Sequence, residues 1–79
     1  MELRKLEKNK VYKIINIKEA DDSLRRDFFT MGFHEGEDIR LIRSAPIFKD
    51  PMLFEVQGTK IALTRFEASH LVLEEGSLQ

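Results

Sequence analysis

Cysteine and tryptophan are absent from this chain, tyrosine occurs once and proline twice. Without cysteine there is no disulfide to brace a small domain, no thiolate zinc site and no cysteine nucleophile; a reducing interior compartment suits such a chain. Excess charge of either sign is also missing. The balance of 13 Lys+Arg against 14 Asp+Glu gives a formal net charge of -1, which supplies no positive field to hold a phosphate backbone or an acidic membrane. With so few stacking aromatics, nucleic acid is not an expected partner. No apolar run approaches the length of a membrane span, and the opening "MELRKLEKNK" lacks the apolar centre of a signal peptide. A cytoplasmic location without direct membrane insertion is therefore expected. Neither glycine-rich phosphate loop, G-x-G-x-x-G or G-x-x-x-x-G-K-[ST], occurs.

What is present suits a folded globule: 42% hydrophobic and 34% charged residues. A chain of 79 residues buries only about 60% of the surface its unfolded form exposes. It is read as one domain over 1–79, with an ordered core at about 6–74 and short ragged ends, 1–9 and 75–79.

Hydrophobic periodicity sets out the elements. "VYKIINIK" (11–18) is β-branched and aromatic, and its apolar set changes phase near Ile14 and Ile15. It reads as a bent or bulged strand burying Tyr12 and Ile14 on one face, then Ile15 and Ile17 on the other. "ADDSLRRDFFTMG" (20–32) offers Asp22 or Ser23 as an N-cap, a buried stripe of Leu24, Phe28 and Met31, and Gly32 to close the last turn. From Glu37 the period becomes two, with Ile39 and Leu41 inward and Asp38 and Arg40 outward. "SAPIFKDP" stops that strand as an ordered loop. "MLFEVQGTKIALT" (52–64) reads as a β-hairpin turning at Gly58-Thr59 in a type II′ turn. "RFEAS" reads as a single helical or 3₁₀ turn, and "HLVLE" as a last strand with Leu71 and Leu73 inward. The fold class is mainly β: a small, partly open five-stranded barrel, with one short α-helix after the first strand and a single helical turn before the last.

The chemistry-bearing residues form no catalytic set. A helical H-E-x-x-H site beginning at His34-Glu35 would need histidine at position 38, which is Asp38. "MGFHEG" is read as a hinge from helix into strand. Asp21-Asp22 stand where negative charge stabilises a helix start, with no partner acid, base or nucleophile nearby. Arg25-Arg26, flanked by Asp22 and Asp27, read as a solvated, ion-paired face. Large apolar residues at unusual places suggest a contact surface instead. Ile47 and Phe48 in the proline-bounded loop either cover an open barrel end or meet a partner; Phe29, at the margin of the helix stripe, and Phe33, in the turn after the helix, pose the same choice.

The order of these signposts resembles the FeoA family of bacterial ferrous-iron transport accessory proteins, over about Leu6 to Glu74. The matching places are Phe28, Met31, Gly32 and Gly36, then Ala45-Pro46, Asp50-Pro51, Ile61-Ala62-Leu63 and Glu67-Ala68. Departures are Glu35 where the family often has proline, Phe48-Lys49 where its middle loop usually carries glycine, and Thr64 where arginine is common. The resemblance implies a small barrel of the Src-homology-3-like (SH3-like) type, acting without catalysis in the cytoplasm on the FeoB-type ferrous iron transporter, a membrane protein with a guanine-nucleotide-binding domain. No resident cofactor or metal is expected. The alternative is a ferrous-iron-binding chaperone or sensor holding Fe²⁺ through carboxylates and His34 or His70.

Overall fold

A computed structural model describes residues 3–44 and 50–76. After a 3₁₀ turn at Leu3–Lys5, the chain forms β1 (Val11–Ile17), α1 (Asp22–Met31), β2 (Asp38–Ser44), β3 (Met52–Val56), β4 (Thr59–Leu63), α2 (Arg65–Ala68) and β5 (Leu71–Glu75). The strands make one antiparallel sheet in the order β4-β3-β2-β1-β5. No pairing joins β4 to β5, so the sheet curls without closing, and the expected barrel is an open one.

Alternation along the strands places the core. Ile39 and Leu41 of β2, Met52, Phe54 and Val56 of β3, Leu63 of β4, and Leu71 and Leu73 of β5 are all buried. The phase change in β1 has a different consequence from the one its sequence suggests. Ile14 pairs with Leu73 and Asn16 with Val72, so Ile15 is the extra residue of a bulge. Tyr12, Ile14 and Ile17 then share the core, while Ile15 is 45% exposed. The bend restores one inward face; it does not switch faces.

The helix starts one residue earlier than expected. Asp21 is the N-cap, its Oδ1 accepting the Leu24 amide at 2.8 Å. Its side chain reaches the third helical residue, so a stripe anchored at Leu24 selects the residue three before it. At the other end Gly32 has φ 92°; its amide donates to Phe29 O, and the Phe33 amide to Phe28 O. This left-handed closure satisfies carbonyls that a helix end otherwise leaves free. Phe28 is fully buried, with Leu24 and Met31 packed against the core. Arg25 is not simply a solvated face: its guanidinium donates to the carbonyls of Ile17 and Ala20, tying α1 to the end of β1.

Neither end is ragged where it is described. Leu3 and Leu6 pack on the core, the Glu7 amide donates to the Tyr12 hydroxyl at 2.9 Å, and the Asn9 amide donates to Leu41 O at 2.7 Å. Strand β5 runs through Glu75, and the Gly76 amide donates to Val11 O at 2.9 Å. The hairpin turns one residue earlier than expected: Val56 pairs with Thr59, so the loop is Gln57-Gly58, with φ 52° and 78°. Two positive φ values make it type I′, not II′.

Candidate functional site

Two exposed aromatic positions stand out on the described surface, and they lie on different helices. Phe29 projects from α1 and is 69% exposed, and Phe66 on α2 is 71% exposed. Each stands beside a histidine: ring centroids are 5.6 Å apart for Phe29 and His34, and 5.0 Å for Phe66 and His70.

The Phe29 side grows out of the hinge. Gly32 and Gly36, with φ 92° and 89°, turn the chain out of α1; the Gly36 amide donates to Ile14 O, and the Ile14 amide to Glu37 O. His34, held between them, has its Nε2 3.6 Å from Glu37 Oε2. "MGFHEG" is thus a hinge, in agreement with its sequence. Phe33 is drawn inward to 0% exposure and meets Phe28 and Phe54 edge-on at 6.0 and 6.2 Å. Of the four residues expected to offer an apolar contact, Phe29 is at the surface. Phe33 is a core plug, because the left-handed turn at Gly32 points the next side chain back under the helix; it offers a partner no surface. Ile47 and Phe48 lie outside the described residues.

The α2 side is not legible in the sequence. Thr64 caps this one-turn helix through a capping box: its Oγ1 accepts the Glu67 amide, and Glu67 Oε1 accepts the Thr64 amide. The Arg65 amide donates to Asp50 Oδ1 at 2.9 Å. Four residues of helix can turn only one side inward. Ala68 takes that side and Phe66 is left out. His70 comes next, 9% exposed, with Nδ1 2.9 Å from Lys18 O. A shallow cleft between α2 and the start of α1 is lined by Phe66, His70, Leu24, Glu19, Asp21 and Asp27, among others. The signal for this site is the Phe66-to-His70 spacing across a turn too short to bury both, which the alternation of the strands does not reveal.

Ser23 also lines the α2 cleft with His70, but among the described residues His70 Nε2 has no hydrogen-bond partner, so the two are not joined as nucleophile and base. Among the described residues no group of three or more His, Asp or Glu side chains is placed to hold a metal ion. No helix among them is long and apolar enough to cross a membrane.

The comparisons with known proteins agree with this architecture. A protein of Helicobacter pylori strain J99 with the provisional name Fe(2+) transport protein A is 30% identical over 77 residues, covering 98% of this chain and 97% of that protein. The solution structure of iron(II) transport protein A from Clostridium thermocellum superposes with a TM-score of 0.85 at 27% identity, over 95% of this chain but only 45% of that one. The crystal structure of Stenotrophomonas maltophilia FeoA complexed with zinc, described as a procaryotic SH3 domain protein, gives a TM-score of 0.76 at 28% identity, over 94% of this chain and 89% of that one. The fold is therefore SH3-like, with its sheet left open. Since the model of the FeoA domain also matches residues 1–75, the chain belongs to the FeoA family, which is associated with ferrous iron transport.

Proposed function

We propose that this protein is a non-enzymatic accessory of ferrous iron uptake, acting in the cytoplasm by binding the FeoB-type transporter and tuning its activity. The observation that carries this reading is the exposed Phe29 ring, fixed on α1 beside His34 of the glycine-braced hinge. A large apolar side chain on a rigid support loses little entropy on contact and contributes most when a partner covers it. Ile47 and Phe48 are further contact candidates in this reading on their apolar side chains alone, and Phe33 holds the support in place from within. Iron is cargo of the transporter here, not a resident cofactor of this chain. For the chaperone or sensor alternative, no cluster of three ligands is formed among the described residues.

The immobilised cytoplasmic part of a FeoB-type transporter should retain the protein, and Phe29→Ala should weaken retention about tenfold or more, as loss of an aromatic contact at an interface centre does. Absence of binding by the unaltered protein across guanine-nucleotide states and ferrous iron levels would overturn the reading. Equal binding by Phe29→Ala would move the surface elsewhere and remove this observation from it.

A further inference from the structure

His70, which lines the cleft between α1 and α2, has a buried ring atom, Nε2, without a hydrogen-bond partner among the described residues. His70 is 9% exposed, and its Nδ1 faces the Lys18 carbonyl at 2.9 Å. A carbonyl oxygen only accepts, so Nδ1 carries the proton and, in the neutral ring, Nε2 is an acceptor. An enclosed acceptor with no donor is a standing cost to the fold, which a donor brought by a ligand removes.

The surroundings say what kind of donor fits. Glu19, Asp21 and Asp27 line the cleft with carboxylates, and Leu24 and the Phe66 ring supply apolar walls. Lysine and arginine are both absent from the described lining. Arg25, on the same helix, is turned to the carbonyls of Ile17 and Ala20. Asp21 shares one carboxylate oxygen with the Leu24 amide. An acidic rim around an apolar wall with a buried acceptor complements a side chain that is cationic at its tip and aliphatic along its stem.

We infer that this cleft seats an arginine or lysine side chain presented by a partner protein. The stem lies against Leu24 and Phe66, the cationic head sits among Glu19, Asp21 and Asp27, and one N–H is donated to His70 Nε2. The Phe66 ring stands perpendicular to His70 at 5.0 Å. Being 71% exposed, it has room to turn aside and then present its face to the cation. Among the described residues the carboxylates and histidine form no ligand group of three, which favours a cationic side chain over a metal ion. This goes beyond the Phe29 surface and rests on the docking reading only for the partner being a protein.

The test is an NMR titration of the full chain with the blocked tripeptide acetyl-Gly-Arg-Gly-amide, alongside its norleucine and glutamate counterparts. The arginine peptide should give saturable shifts at His70 Nε2 and the Phe66 ring, and the other two should not. Affinity should fall about three- to fivefold for Asp27→Asn and by about as much for Phe66→Leu, with amide spectra otherwise unchanged. No saturable shift, equal binding of the norleucine peptide, or undiminished binding in both variants would overturn the proposal. The transporter takes no part in the titration, so its failure is separable from a failed transporter pull-down.

Discussion

Phe28, Phe29 and Phe33 share one side-chain chemistry, yet they do different things within a single helix end. Phe28 and Phe33 are fully buried and Phe29 is 69% exposed. Helical spacing from Leu24 identifies Phe28 as the inward residue and puts Phe29 a turn-step away from it. For Phe33 no spacing rule applies, because it comes after a left-handed residue, and only the closure at Gly32 decides that it points to Phe54. Phe33 and Phe29 should separate cleanly in stability. Phe33→Ala, which removes a ring packed edge-on against two others, should cost about 3–5 kcal/mol, a large share of the roughly 5–15 kcal/mol typical of a whole domain. Phe29→Ala should shift stability by no more than about 0.5 kcal/mol. Urea unfolding of the two variants, compared by midpoint, checks both.

The hairpin shows how far an element can be read and where reading stops. Alternation of Met52, Phe54 and Val56 against Ile61 and Leu63 identifies two strands and their inward faces. A turn at Gly58-Thr59 and one at Gln57-Gly58 differ by two residues in register, so both keep every apolar side chain on the same face. The pattern cannot choose between them. The choice rests on the segments flanking the hairpin: with Met52 opposite Leu63, Thr64 falls at the cap of α2 and the Arg65 amide reaches Asp50. That register imposes a positive φ, 52°, on Gln57. Asparagine tolerates this conformation far better. Gln57→Asn should therefore stabilise the protein by about 0.5–1 kcal/mol, seen as a higher thermal midpoint. A lower one would mean that the Gln57 side chain makes contributions its backbone position does not suggest.

At the scale of the molecule, every strand and both α-helices contribute to a single set of buried residues, from Tyr12 in β1 to Leu73 in β5. No subset of elements has a core of its own, so heat should melt the described fold in one step. Far-ultraviolet circular dichroism and the near-ultraviolet signal of Tyr12 should give coincident transitions; separated midpoints would show that one part of the sheet persists without the rest. The sequence by itself determined which segments become strands and which become the first helix, because alternation and helical spacing are local properties that burial merely rewards. It also excluded chemistry that needs a thiolate, since cysteine is absent. Only the tertiary structure decided the features that depend on distant partners: the hairpin register, the outward turn of Ile15 at a bulge paired with β5, the open seam between β4 and β5, and the meeting of His70 with the acidic start of α1. Those features arise from groups far apart in the chain competing for the same space and the same hydrogen bonds, and no local pattern encodes the outcome of that competition.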